Sequence, residues 1–347
     1  MSRMRAAVLH RPNDVRLEEL PIPTPAPGEV LVRVRAVGVC GSDVHYYKEG
    51  RIGMHIVEKP LILGHESAGD VVAVGPGVRG ISLGARVALE PGVPCHRCRY
   101  CLGGRYNLCP HVTFMATPPV DGAFVEYIAW PAEFAYPLPD RLGYAEGALL
   151  EPLAVGMHAV RRARLVPGAA VLVLGAGPIG QLALVAAATA GAGQLIVADL
   201  EDGRLAVASR LDPHIVTLNP AREPLGEVVK AATGGEGADV VIEAAGVVRT
   251  ITQSVELVRR GGRVVWIGLP GEDPSPVSVL EAIRKEVDIL GVFRYANVYP
   301  DAIRLAASGK IDLKPLVTHR FPLAEARRAL DTVVEQKSSA VKVVVEV

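Results

Sequence analysis

The run Val171-Leu172-Val173-Leu174-Gly175-Ala176-Gly177-Pro178-Ile179-Gly180 decides the fold of this chain. Its first four residues are wholly apolar, as in a parallel strand covered on both faces. Gly175, Gly177 and Gly180 form a G-x-G-x-x-G turn, a helical stretch runs from Pro178 to about Ala190, and Leu195-Ile196-Val197-Ala198 makes a second strand ending at Asp199. A glycine-rich turn alone is a weak signal, shared with unrelated α/β proteins. Set between strand and helix, with an acid about 20 residues beyond, it is a dinucleotide-binding fingerprint. Gly175 allows the tight turn, Gly177 lets backbone approach a pyrophosphate, and Gly180 allows close helix–strand packing. Ile179 lies inside the same motif, where the helix N-terminus offers unpaired N–H groups to phosphate. Asp199 can accept hydrogen bonds from both ribose hydroxyls of NAD, and its charge opposes the 2′-phosphate of NADP. Arg204 either covers the adenine or its ribose or is a plain surface arginine.

Moving outward, the βα alternation continues. Asp239-Val240-Val241-Ile242-Glu243 and Arg263-Val264-Val265-Trp266-Ile267-Gly268 read as strands with a helix from about 248 to 259 between them, and 287–292 reads as the last strand. The expectation is an α/β chain whose residues 154–290 form a doubly wound parallel-sheet Rossmann domain. From Leu165 to Ala198 no side chain is charged, a length that could span a bilayer. Gly and Pro cut this stretch into strand, turn, helix and strand, which argues against a membrane segment. The flanks differ in texture. Residues 1–153 alternate short β-type runs with Pro/Gly turns, as in Glu29–Val37 and Gly69–Gly75, and read as a mainly antiparallel, partly closed β-domain. The valine-rich segment 341–347 reads as a strand without a local partner that returns to this domain. Residues 1–153 and 291–347 are then one domain with the Rossmann domain inserted, and the active site is expected in the cleft between the two.

The chain has five cysteines, and two zinc-type motifs use them all. Cys95, Cys98, Cys101 and Cys109 fall close enough in sequence to close a tetrahedral shell, which suits a structural ion in a lobe over about 91–112. Two disulfides or a redox C-x2-C pair are the rivals. Cys40, in Gly38-Val39-Cys40-Gly41-Ser42-Asp43, together with His65 and Glu66, supplies three ligands and leaves a position free, which suits a catalytic ion. The N-terminus has no apolar core of signal-peptide length, so a reducing cytoplasm is expected, where clustered thiols bind metal. The 347 residues are half hydrophobic and carry a formal net charge of +0 with no basic run, so a nucleic-acid partner is a poor reading.

These residues resemble the zinc-dependent medium-chain alcohol dehydrogenase superfamily, and within it the sorbitol (L-iditol 2-) and xylitol dehydrogenases. The most specific stretches are Cys40–Tyr47, Gly64-His65-Glu66, Glu151–His158, Gly291-Val292-Phe293-Arg294-Tyr295 and Lys314–Phe321. The resemblance covers nearly the whole chain, with one departure: animal sorbitol dehydrogenases lack the cysteine lobe, which favours the microbial or insect type.

The resemblance implies a GroES-like catalytic domain, one catalytic and one structural zinc per chain, NAD, and a homotetramer. It gives the fourth catalytic position to water, with Glu151 as a base or an alternative ligand. It makes Ser42 and His45 a proton relay, and Tyr46, Phe114, Glu151, Arg294 and Tyr295 a polyol pocket. The expected activity is oxidation of a polyol secondary alcohol to the ketose, with zinc polarising the C–O bond while hydride leaves for the nicotinamide. A zinc dehydrogenase for threonine, butanediol or a sugar is the alternative. A catalytically silent nucleotide-binding protein would have no need for Cys40, His65, Glu66 and Glu151 together.

Overall fold

A computed structural model gives the fold of residues 2–270 and 276–347. Contacts divide it into two units. The first takes Met1–Glu151, Tyr299–Gly309 and Leu316–Val347, and the second takes Pro152–Val298 and Lys310–Pro315. The sequence reading set the return to the first domain at 291, whereas in the structure 291–298 and 310–315 belong to the second unit. Hydrogen bonding accounts for part of the shift: Val292 N–H donates to Trp266 O at 2.9 Å, and Arg161 Nη1 donates to Asn297 O at 2.8 Å.

The first unit is built on strand β1 (Glu29–Gly38), which is followed directly by helix α1 (Gly41–Glu49). Around β1 lie β2 (Glu66–Val74), β3 (Arg86–Leu89), β4 (Tyr127–Pro131) and β5 (Ala135–Pro137). Among the described residues the sheet runs in the order β5-β3-β2-β1, then continues into two strands from the far end of the chain, with β4 also pairing β1. Those late strands are Val317–Pro322 and Lys342–Glu346. They pair with each other in parallel, so the valine-rich segment does have a nearby partner as well as β1. Gly38 is central to the register, opposite Val344 on one side and Glu66 on the other. Valines of this strand fill the core: Val30, Val32, Val34 and Val37 of β1 are all buried.

Helix α2 runs from Leu150 to Ala163, and from Pro152 onward it belongs to the second unit. Then come β6 (Ala170–Leu174), α3 (Pro178–Thr189), β7 (Gln194–Ala198), α4 (Asp202–Leu211), β8 (Val216–Leu218), β9 (Ala238–Glu243), β10 (Val258–Trp266), α5 (Val279–Lys285) and β11 (Asp288–Gly291). The strands form one parallel sheet in the order β8-β7-β6-β9-β10-β11, a doubly wound arrangement with β6 and β9 at its centre. Apolar clusters cover both faces, which is why β6 reads as an unbroken hydrophobic run: Val171 and Val173 face one, Leu172 and Leu174 the other. The uncharged stretch 165–198 resolves into β6, α3 and β7. No described helix is long and apolar enough to cross a membrane.

Candidate metal centre and dinucleotide site

Cys40 is the extended residue between β1 and α1. Its N–H donates to Asp43 Oδ2 at 2.9 Å, closing the first turn of the helix. Asp43 is fully buried, and its other oxygen accepts from Gly64 N–H at 2.9 Å. One carboxylate therefore ties the Cys40 turn to the segment carrying His65 and Glu66. The donor atoms of Cys40, His65 and Glu66 lie within 4.8 Å of one another, with His65 and Glu66 buried. A sulfur, an imidazole nitrogen and a carboxylate oxygen so arranged fit zinc, with room for a further ligand. Asp43 sits 3.7 Å from His65 Nδ1, an ionic distance and not a hydrogen bond. Burial disfavours the His65 imidazolium, but Asp43 and Cys40 outweigh it and hold His65 well above its ordinary value.

Two supports of this centre escape the sequence motifs. Lys342 is 1% exposed, and its Nζ donates to both Glu66 oxygens, at 2.8 and 2.7 Å, and to Val39 O at 3.1 Å. Burial works against its charge, but Glu66 and Cys40, with a smaller contribution from Glu151, overcome this and raise its pKa. Gly38 is the other. A Cβ there would stand 2.0 Å from Glu66 Oε2, so only glycine leaves room for the carboxylate. A lone lysine in a valine strand was the available signal for the first; no local signal marks the second.

The remaining predicted residues of the first unit fall as follows. Ser42 is half-buried in the first turn of α1. His45, 40% exposed, lies 3.2 Å from Glu49 Oε1, one helical turn on. Tyr46 is buried on α1. The Phe114 ring packs against His65, centroids 5.5 Å apart. Glu151 is buried in the first turn of α2 and acts electrostatically on Lys342 and on Tyr299. Arg294 and Tyr295 belong to the second unit. Arg294 takes a left-handed φ of 53°, its guanidinium lies over the Phe293 ring, and Tyr295 is buried.

The four other cysteines gather in the first unit. Their sulfurs also lie within 4.8 Å of one another, and none is in a disulfide. Backbone N–H groups of Arg97 and Cys98 help pull Cys95 down to about 6, and that of Cys101 lowers Cys98. Burial and the neighbouring sulfurs push Cys101 the other way, up to about 12, as expected for sulfurs crowded together without a cation. Four sulfurs so gathered suit a closed tetrahedral zinc shell. The lobe is tied to the sheet by the buried Glu90, which accepts from Tyr106 at 2.7 Å and from Tyr136 at 3.0 Å. Burial pushes Glu90 up to about 7 against those two hydrogen bonds.

In the second unit the glycine turn has distinct roles at each position. Gly175 has φ 101°, and a Cβ there would meet Ala245. One on Gly180 would lie 1.8 Å from Gly175 O, so helix and turn pack backbone to backbone. One on Gly177 would meet nothing nearer than Arg204 Nη1 at 4.0 Å, which leaves the approach to this backbone open. Ile179 is half-buried in the first turn of α3. Asp199 accepts from Ala176 N–H at 2.6 Å and from Glu201 N–H at 2.9 Å, which fixes its carboxylate beside the turn. Two buried residues outside the motif hold the frame. Gln181 donates to Ala176 O and Arg204 O, and Glu243 accepts from the N–H groups of Ala245 and Gly246 and from the Thr250 hydroxyl. Both turns lie at the carboxyl ends of central strands, where open α/β sheets bind nucleotides.

Comparison with known proteins agrees with both halves. Residues 26–140 match the alcohol dehydrogenase GroES-like domain, and 178–308 match the zinc-binding dehydrogenase domain. The sorbitol dehydrogenase of Bacillus subtilis (strain 168) is 46% identical over 99% of this chain and 97% of its own length. The Homo sapiens sorbitol dehydrogenase is 47% identical over 94% of this chain and 91% of its own, so identity does not separate the bacterial relative from this mammalian one. An Escherichia coli oxidoreductase/dehydrogenase of unknown specificity superposes with a TM-score of 0.95 at 42% identity, covering 99% of both chains. Fold and donor sets together define a zinc-binding medium-chain dehydrogenase. The chain belongs to the zinc-dependent medium-chain alcohol dehydrogenase superfamily and, within it, to the sorbitol dehydrogenase family.

Proposed function

We propose that the chain oxidises a secondary alcohol of a polyol, of the sorbitol or xylitol type, to the ketose, with NAD as hydride acceptor. The observation that carries this reading is the Cys40/His65/Glu66 donor set, with His65 and Glu66 buried, in a chain that also fixes Asp199 beside a glycine turn. Zinc held by Cys40, His65 and Glu66 supplies Lewis acidity to the alcohol oxygen. Glu151 acts at the same centre as a base, or as a ligand in place of water. Ser42 and His45 carry the released proton outward, and the partial exposure of His45 supports that role. The cysteine lobe holds the structural ion. Gly175, Gly177, Ile179, Gly180 and Arg204 receive the cofactor, and Asp199 selects NAD over NADP by repelling the 2′-phosphate. Tyr46, Phe114, Glu151, Arg294 and Tyr295 contact the substrate, with the Arg294 guanidinium donating to hydroxyls beyond the reacting carbon.

The same reading places the enzyme in the cytoplasm as a homotetramer. The exposed edge strand β11, with Val279, Leu280 and Ile283 more than 60% exposed on nearby α5, supports self-association.

The test is a panel of polyols and short diols with NAD and NADP, read at the NADH band. Arg294→Ala should cost sorbitol or xylitol about 2–4 kcal/mol of transition-state stabilisation and a short diol much less. An unchanged ratio of polyol to diol efficiency would overturn the role of Arg294. Asp199→Ala should weaken NAD binding by roughly 1–3 kcal/mol and relieve the penalty on NADP, read by cofactor titration.

A further inference from the structure

Lys342 has no place in the sequence motifs, yet it makes the closest polar contacts to a proposed zinc ligand. Its ammonium is as buried as Glu66 itself and spans both carboxylate oxygens. The third Nζ contact, Val39 O at 3.1 Å, precedes Cys40 by one residue, so the cation is anchored to the backbone beside a second ligand. The acids acting on it are Glu66 and, less strongly, Glu151, together with the Cys40 sulfur.

From this geometry we infer that Lys342 is a positioning residue that restrains Glu66, keeping it a weak metal ligand and the centre positively charged. The inference rests on the reading of Cys40, His65 and Glu66 as zinc ligands. A thiolate and a carboxylate together cancel the two charges of zinc, and a neutral centre polarises an alcohol poorly. Lys342 offsets the carboxylate. It also competes with zinc for the same two oxygens, and it repels the ion across a short, low-dielectric gap. The bare site is meanwhile spared a buried carboxylate without a counter-ion. Zinc affinity is thereby lowered and Lewis acidity preserved.

A purely structural lysine and a restraining one predict opposite signs. If Lys342 only supports the fold, its loss loosens the centre and weakens zinc. If it restrains Glu66, its loss tightens zinc while lowering the melting temperature of the metal-free chain. The experiment is competition with a chromophoric chelator for zinc in the full chain, with the cysteine-lobe ion as internal control. Lys342→Met should tighten one zinc by on the order of tenfold and leave the other unchanged. Lys342→Arg should keep the unaltered affinity. Lys342→Gln, which retains a donor to Glu66 but no charge, gives the same reading if the Met variant does not fold.

In a Glu66→Gln background the Lys342 change should have a clearly smaller effect, because only the direct repulsion of the ion remains. Cobalt(II) in place of zinc should show a shifted ligand-field spectrum in Lys342→Met as Glu66 engages fully. Unchanged or weaker zinc at the centre, or an equal effect in the Glu66→Gln background, overturns the inference. An unaltered chain that binds only the lobe ion, or that keeps both ions after Cys40→Ser, fails the metal-centre reading instead.

Discussion

The two candidate metal clusters are built on opposite plans. The cysteine lobe draws its donors from one short segment, Cys95 and Cys109 being only 14 positions apart. Cys95, Cys98 and Cys101 are partly exposed, and the N–H groups that favour Cys95 and Cys98 as thiolates come from the lobe's own backbone. The second centre takes its donors from two places in the chain, buries His65 and Glu66, and leans on Gly38 and on a lysine 276 residues beyond Glu66. One is a local knot that metal can close. The other is a product of the finished sheet. The difference teaches where robustness lies: a closed shell needs only its ligands, whereas an open one needs surroundings that hold a ligand back.

The largest test separates the plans outright. Cys40→Ser should abolish nearly all activity and remove one zinc while leaving the melting temperature close to its starting value. Cys98→Ser should remove the other zinc and lower stability markedly, because a closed site contributes folding energy directly. Elemental analysis with thermal melts reads both, and two variants with the same signature would break the comparison.

Next in size is the tether between lobe and sheet. Glu90 ionises near 7 in the fold and near 4.5 when free, so folding favours its protonated form. Its contribution is fully present below pH 4.5 and is lost as pH rises through about 7, a fall on the order of 3 kcal/mol. Glu90→Gln should flatten this part of the stability–pH curve, measured by denaturant unfolding from about pH 4 to 8. A slope that survives the substitution would assign it to another group.

The smallest effect is at the centre's hidden support. Gly38→Ala forces a methyl against Glu66 and should cost about 1–3 kcal/mol. Zinc should weaken at the centre and hold unchanged in the lobe. Equal weakening at both would mean that the substitution disturbs the whole sheet.

The sequence makes the two plans unequally readable. Cys95, Cys98, Cys101 and Cys109 announce themselves because their chemistry and spacing are one fact. Gly175, Gly177, Gly180 and Asp199 do so because a tight turn, a close approach and an acid must recur at set distances. The complete burial of Glu66 could not be read from its neighbours in the chain. Asp43 bonds the N–H groups of Cys40 and Gly64, a brace visible only after folding. Lys342, Gly38, Glu90 and Glu243 act through tertiary contacts, so no spacing rule marks them. The point of return to the first unit was misplaced because the loop after β11 has no pattern of its own; its bonds to Trp266 and Arg161 decide where it belongs.

The pairing of Glu66 with Lys342 also orders events during synthesis. A ribosome that has just completed the four-cysteine segment has made everything that lobe needs to capture an ion. It must still produce all of 152–298 before Lys342 emerges. Until then Glu66 has no counter-ion, and the strand that carries Lys342 is missing beside Gly38. The nascent chain can therefore be stapled early by one metal, while the reactive centre takes its final form only after the nucleotide-binding half exists.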